Sequence, residues 1–356
     1  MINILIIGKG YIGRNLATFL TQPDVSIYNI EKSDLDYWSY NNLDQYINSQ
    51  KNKGVTFSFI INCAGFYGSQ INECNHYPRL FLHLTATLPI ILSNLCTKHN
   101  CKYIHLSSAD IYDGDNVFAN DEVGSMVSFT SSSVNEGWSE NNLPNHGIFA
   151  NKSSTFSKTH HVIENCLRGL NNVYILRIKN CISGIFHKKN YLLKVITKER
   201  VINKENTVTF LPDLFNFIDQ ILKVSNIPTG IYNIVNGESF FNKVIFDELK
   251  EYKEEFENLK IFFNRKAVID DNINLTPVRP FAILKNTKAS KFINFTKIDN
   301  HIINKCLYEI IEDKKLNDYY FNVYNEKNVS LRDESRYSNK PDLVNEVLVE
   351  KMWNIP

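Results

Sequence analysis

The sequence lacks long apolar runs, paired cysteines and any excess of one charge, and each absence removes a class of protein. No stretch approaches the ~18 consecutive apolar residues of a membrane-spanning helix, so no membrane span is expected. Seven cysteines, at 63, 74, 96, 101, 166, 181 and 306, form an odd, scattered set without a Cys-x-x-Cys. That argues against a disulfide framework and against a metal site, and fits free thiols in a reducing, cytoplasmic compartment. Lys and Arg number 39 against 38 Asp and Glu, a net charge of +1. Such balance argues against a nucleic-acid binder and a polybasic membrane surface. Residues 1–8 have neither a basic n-region nor a small-residue cleavage site, so no signal peptide is expected.

What remains is an ordinary globular composition: 356 residues, 43% hydrophobic and 12% aromatic. At ~150 residues per domain that is roughly two domains. Asn3–Ile7, Val25–Ile30, Phe57–Ile61, Lys102–Leu106 and Val173–Ile178 are short and β-branched or aromatic, and read as buried strands. Helical patterns lie between them. Ile12, Leu16, Phe19 and Leu20 share one face, as do Leu80, Leu84, Leu88, Ile91 and Leu95, with Pro89 as a kink. Alternation of this kind predicts a doubly wound α/β domain on a parallel sheet. It takes in residues 1–178 plus about 212–236, where a helix over Pro212–Val224 leads to a returning strand at Gly230–Val235.

Residues 179–211 and 237–311 are expected to form a smaller lobe. It would hold a helix over Phe240–Phe256, a strand at Ile261–Phe263 and a final helix at Ile298–Ile311. Residues 113–154 read as a long loop over the strand ends, and 312–356 as a polar tail; either adds docking surface or, for the loop, a lid.

Gly8-Lys9-Gly10-Tyr11-Ile12-Gly13 follows the first strand and opens a helix, the context in which G-x-G-x-x-G binds a dinucleotide. The first glycine permits the turn, the second admits a pyrophosphate to the helix N-terminus, and the third lets helix and strand pack closely. Glu31 ends the second strand, where an acidic side chain meets ribose hydroxyls. Lys32 beside it would favour a 2′-phosphate, so NAD and NADP both stay open, with a lean to NAD. Asp36 is placed to reach the adenine edge, and Asn62-Cys63-Ala64-Gly65 to line the cleft. A glycine-rich turn and ordinary loops that bind nothing are the other readings of the same residues.

Taken in order, the segments resemble the extended short-chain dehydrogenase/reductase superfamily. They are Gly8–Gly13, Asn62–Gly65, Leu106-Ser-Ser-Ala-Asp-Ile-Tyr112, Ser154–Glu164, Ile175-Leu-Arg-Ile178 and Val278-Arg-Pro-Phe281 with Leu284 and Lys288. The likeness is nearest to the dTDP-4-dehydrorhamnose reductase and nucleotide-rhamnose epimerase/reductase group, and runs from Met1 to about Ile311. The glycine turn is one residue shorter than that group's usual form. The resemblance implies a Rossmann-type fold with a C-terminal substrate lobe, an NAD(P) cofactor, a nucleotide-sugar ligand and deoxysugar biosynthesis. A homodimer or a protein partner is a further expectation.

Such enzymes reduce a sugar ketone. A tyrosine donates the proton, a lysine four residues later lowers its pKa, a Ser or Thr bonds the carbonyl, and an upstream Asn supports the lysine. Carried over by position, Ser108 fits the Ser/Thr, but Phe156 stands at the tyrosine, His160 at the lysine and Thr85 at the asparagine. No tyrosine lies between Tyr112 and Tyr174. Tyr28 and Lys32 form the single Tyr-x-x-x-Lys, yet an extended strand would set them ~13 Å apart.

Ordinary ketone reduction is therefore doubtful. Asp110 occupies the position of the cysteine in epimerising relatives, which removes cysteine-based epimerisation as well. His160, Tyr112 and Asp110 remain as candidates for proton work beside Ser108, and the other reading of His160 is a polar residue holding a helix against a loop. Arg279 is expected near the sugar nucleotide's phosphates, or else anchors a surface turn. Two functions stay in view: a nucleotide-sugar-modifying enzyme of non-standard chemistry, and an inactive regulatory or scaffold partner.

Overall fold

The apolar run after Met1 becomes β1 (Ile2–Ile7), and its alternation sends side chains to both faces of a sheet. Ile4 and Ile6 join one buried cluster, Leu5 and Ile7 the other. The computed structural model describes residues 1–65, 73–114, 137–150, 153–198, 200–224, 226–261, 268–270 and 280–327. Seven further strands follow: β2 (Val25–Ile30), β3 (Phe59–Asn62), β4 (Lys102–Ser108), β5 (Val173–Ile178), β6 (Arg200–Ile202), β7 (Gly230–Asn233) and β8 (Val268–Asp270). Six form one parallel sheet in the order β2-β1-β3-β4-β5-β7, and β6 pairs with β8. The expected strand Gly230–Val235 thus does return to the sheet, beside β5.

The helices are α1 (Tyr11–Phe19), α2 (Tyr40–Asn52), α3 (Glu73–His76), α4 (Pro78–Leu82), α5 (Leu88–Lys98), α6 (Thr155–Leu167), α7 (Tyr191–Ile196), α8 (Leu211–Lys223), α9 (Lys243–Leu249), α10 (Lys253–Asn258) and α11 (Asn300–Lys327). α1 and α8 cover one face of the sheet, and α2, α5 and α6 the other, as a parallel sheet requires. Among the described residues, 1–313 belong to one compact unit and 314–327 to a second. Within the first, a third apolar cluster gathers residues of 182–311, among them Leu192, Phe240, Phe256 and Ile303.

A π-turn over His83–Thr87 precedes α5, and Pro89 stands in that helix's first turn. Pro89 has no N–H for the Thr85 carbonyl, so the helix widens there. By length and composition Pro78–Lys98 would suit a membrane span. Leu88, Leu92, Leu95 and Cys96 are nevertheless buried with Leu5, Ile60 and Tyr103, as in a core helix.

Three expectations need correction. The stretch 240–256 is not one helix: Phe240 exchanges backbone hydrogen bonds with Asn206, and a 3-10 turn at Lys250–Tyr252 separates α9 from α10. Ile261 is buried outside any strand, residues 262–263 lie outside the described residues, and the strand of this region is β8. The last helix continues past Ile311 to Lys327. Within the loop 113–154, Trp138 bridges Leu284 and donates its indole N–H to the Gly114 carbonyl at 2.9 Å.

Candidate functional site

Register decides which residues meet. Ile7 pairs with Ile30 on one side and with Asn62 on the other, so β1, β2 and β3 end level. Gly8, Glu31 and Cys63 therefore emerge side by side, where the chain order turns from β2 on one flank of β1 to β3 on the other. Open parallel sheets bind ligands at this switch point.

The three glycines differ in what they permit. Gly8 has φ +99°, and a Cβ there would meet the backbone of Ala64 at 2.7 Å. Gly13 packs against the Gly8 carbonyl, with Cys63 Cβ 3.0 Å from where its own Cβ would lie. At Gly10, the N-cap of α1, a Cβ would meet nothing within 4 Å. The outer pair thus joins strand to helix, and Gly10 leaves open space at a helix N-terminus, where backbone N–H groups and the helix dipole favour an anion.

Around this turn, Lys9 is drawn aside to Asp34 at 2.6 Å. Tyr11 is buried, hydrogen-bonds Ser183 at 2.6 Å and stacks on His187, while Ile12 packs into the core. Asn62 is buried and its carboxamide oxygen accepts from Ala64 N–H at 3.1 Å. Burial pushes the Cys63 thiol up to about 12, so it stays protonated. Ala64 and Gly65 are half-buried beyond it.

After β2, Glu31 is exposed and Lys32 sits over the Trp38 ring at 4.6 Å. The Asp36 carboxylate accepts from Trp38 N–H at 3.2 Å, a turn of its own loop. Trp38 in turn stacks on His83 at 4.2 Å.

β4 and β5 run further than β3: Asn62 pairs with His105, and Ser108 with Ile178. Ser108 Oγ accepts from Asp110 N–H at 3.2 Å, which leaves its own proton as a donor. Asp110 pairs with Lys179 at 3.3 Å, its side chain 30% exposed against 1% for the lysine. The Lys179 ammonium also donates to the Pro280 carbonyl at 3.4 Å. Arg279, next to Pro280, lies outside the described residues. Asn180 turns the chain after β5 with φ +45°, a conformation asparagine tolerates better than most residues.

The remaining candidates sit in apolar surroundings. Phe156 packs on His160 at 4.4 Å and on Phe81 at 6.2 Å, and Thr85 is buried in the π-turn. His160 is buried, with no hydrogen-bond partner for its Nδ1. Burial drives His160 down to about 3, so its imidazole is neutral, which goes against the reading of it as an acid near neutral pH. Tyr112 also departs from its expected role. Its hydroxyl donates to the Asn142 carbonyl at 2.8 Å, its ring lies 5.1 Å from the Arg177 guanidinium carbon, and burial pushes it up to about 12.

Sequence reasoning missed the charge beneath these residues. Arg177 and Glu164 form a fully buried ion pair, with Arg177 Nε 2.6 Å from Oε1. Ser107 donates to the other carboxylate oxygen at 3.2 Å, and Arg177 also reaches Asn233. Burial pushes the guanidinium down, and Glu164 first, with Tyr112 and Glu140, more than reverses it. The signal was a lone arginine in the apolar strand Val173–Ile178, which requires a buried partner. Among the described residues no group of three or more His, Cys, Asp or Glu is placed to hold a metal.

His105 resembles His160: burial, with His160 adding to it, drives it to about 3. Both folded values lie below the ordinary ~6.5 of an exposed histidine. Their contribution is complete above that value and is lost as pH falls toward the folded pKa, by about 1.4 kcal/mol per pH unit for each ring. The urea midpoint is expected to drop as pH falls from ~6 to ~5, and His160→Asn to flatten that drop. An unchanged pH slope in the variant would contradict this assignment.

Residues 2–257 match the RmlD substrate binding domain. The chain belongs to that family. A bifunctional dTDP-4-dehydrorhamnose 3,5-epimerase/dTDP-4-dehydrorhamnose reductase of Arabidopsis thaliana is 24% identical over 202 residues, covering 56% of this chain and 61% of the plant protein. This member thus spans less than two thirds of that relative. The same fold occurs in the UDP-rhamnose synthase of Acanthamoeba polyphaga mimivirus, with a TM-score of 0.66, 17% identity, and coverage of 86% of this chain and 99% of that one. It occurs again in the Bacillus anthracis dTDP-4-dehydrorhamnose reductase in complex with NADP, with a TM-score of 0.62, 16% identity, and coverage of 87% and 99%.

Proposed function

We propose that this RmlD-family chain binds a nicotinamide dinucleotide in the Gly8–Gly13 turn and a nucleotide-linked deoxysugar at the ends of β4 and β5. On this reading it modifies the sugar without Tyr-Lys ketone reduction. The observation that carries the reading is the open side of Gly10 between two glycines that close strand on helix. Family membership supports the sugar class, since the plant relative is a nucleotide-rhamnose reductase and epimerase.

The dinucleotide would supply a hydride when bound. This chain's residues hold the pyrophosphate at Gly10–Gly13, offer Glu31 to the ribose, and offer a hydrogen bond from neutral His160, whose Nδ1 lacks a partner. Ser108 can bond a carbonyl, and Asp110 with Lys179 is the charged pair at the strand ends.

A second reading, an inactive regulatory or scaffold partner, draws on the same region. Phe156 has no proton, neutral His160 brings no charge, and the Tyr112 hydroxyl is committed to Asn142.

Titration with NADH and NADPH, then a turnover assay on a 4-keto-6-deoxy nucleotide sugar, tests both. Dinucleotide binding without ketone reduction is expected, with Phe156→Tyr plus His160→Lys gaining reduction by about 10²–10⁴-fold. Absence of dinucleotide binding overturns the first reading. Ketone reduction by the unaltered chain overturns the loss of Tyr-Lys chemistry and the inactive-partner reading together.

A further inference from the structure

We infer that Cys96 and Cys101 are a thiol pair that a hydroperoxide oxidises to a reversible disulfide, clamping the end of α5 to the start of β4. The pair lies at the edge of the sheet where β4 begins, whereas the glycine turn follows the end of β1. The inference therefore stands apart from the proposed ligands.

The way α5 ends brings the two residues together. Asn100 takes φ +53°, the left-handed conformation that closes a helix and that asparagine reaches more easily than most residues. Its N–H donates to the Thr97 carbonyl at 3.4 Å, and Cys101 N–H donates to the Cys96 carbonyl at 2.9 Å. In such a cap the side chains of the two residues joined by the longer-range bond pack on each other. Cys96 Sγ accordingly lies 3.8 Å from the carbonyl oxygen of Lys102, the residue next to Cys101. The two thiols hydrogen-bond to each other. Asn172 donates to the Cys101 carbonyl at 3.3 Å and holds that side of the cap. Both side chains belong to the cluster that packs α5 on the sheet, at 0% and 4% exposure, and both are free thiols.

This pair differs from other buried cysteines of the chain. Burial pushes Cys63, Cys181 and Cys306 up to about 12. The Cys96 thiol, by its hydrogen bond to the neighbouring sulfur, instead holds Cys101 below its ordinary value. Burial first, and then the same bond, carry Cys96 well above it. Cys101 is thus the sulfur that forms a thiolate, and Cys96 keeps its proton beside it. Thiol oxidation starts at a thiolate with a second sulfur in reach.

With hydrogen peroxide the step balances as follows. The Cys101 thiolate attacks one peroxide oxygen and the O–O bond breaks, leaving sulfenic acid on Cys101 and a hydroxide that is protonated to water. The Cys96 sulfur then attacks the sulfenic sulfur. The S–S bond forms, the S–O bond breaks, and the hydroxyl leaves as water with the Cys96 proton. Two thiols give up two electrons, and one peroxide becomes two waters.

Peroxide treatment of the full chain, followed by alkylation in denaturant and tryptic mass mapping, tests this. The expected product joins the peptides ending at Lys98 and at Lys102, is lighter by two hydrogens, and separates in dithiothreitol. Cys96→Ala is expected to stop at sulfenic acid on Cys101, captured by dimedone. Cys101→Ala is expected to slow oxidation of Cys96 at least about tenfold, the effect of one pKa unit on the thiolate fraction.

Full alkylation of Cys96 and Cys101 after exposed Cys166 has been oxidised overturns the inference. A disulfide joining either of the pair to a third cysteine overturns it as well. A Cys101→Ala chain that oxidises Cys96 at the unaltered rate overturns the assignment of Cys101 as the attacking sulfur.

Discussion

Glu164→Ala is expected to destabilise the chain by about 3–5 kcal/mol, because it strands the Arg177 guanidinium without a counter-charge. Both side chains are almost wholly shielded from water, at 0% and 1% exposure, so solvent cannot replace the lost partner. Ser107 would also lose its acceptor, and Tyr112 would face an unneutralised cation at 5.1 Å. For a unit of this size the penalty corresponds to a fall in Tm on the order of 10 °C.

Glu164→Gln keeps the shape and part of the hydrogen bonding, and should cost less. Glu164→Leu combined with Arg177→Met removes both charges together and is expected to recover much of the loss. Thermal unfolding of the four proteins checks this order. A double variant no better than Glu164→Ala would mean that the hydrogen bonds to Ser107 and Asn233, and not the charge, hold α6 to the sheet.

The second large effect separates two glycines of one motif. Gly13→Val is expected to damage the fold, since its Cβ falls on the Gly8 carbonyl and against Cys63, backbone and β-carbon atoms that cannot swing aside. A loss of several kcal/mol is the usual result of such overpacking combined with backbone displacement.

Gly10→Val should behave in the opposite way. Gly10 has φ −77°, which any residue adopts, and its Cβ meets no protein atom. The change costs no more than about 1 kcal/mol, from the poorer N-cap. It fills the space a pyrophosphate would use, so NADH binding is expected to fall at least about a hundredfold, or ~2.7 kcal/mol. Thermal unfolding and NADH titration of the two variants give the comparison. A stable Gly10→Val protein that still binds NADH would show that no phosphate lies at Gly10.

The sheet was legible because its strands are apolar on both faces. Val25–Ile30 and Val173–Ile178 keep the bounds expected of them, and the other three differ by one or two residues at their ends. The weaker region after Ile178 was read less well. There, Phe240 is drawn into a bridge with Asn206, and such long-range pairing leaves no periodic signal.

Within the site, positions could be assigned from spacing, but states could not. Counting along the helix sets His160 four residues after Phe156. Its neutrality depends on burial and on Phe156 packed against it. Tyr112 likewise kept its place at the end of β4 and lost its expected freedom to the Asn142 carbonyl, which lies thirty residues away in the chain.

What the sequence by itself determined is local and periodic. Strand and helix alternation and the glycine turn at the end of β1 follow from residue type and short spacing. The tertiary structure decided which of those residues share an environment. It joined Arg177 to Glu164, set Lys179 on Asp110, and laid His187 against the first residue of α1. Protonation and charge depend on neighbours brought together by folding, and desolvation by those neighbours outweighs the intrinsic pKa of a side chain.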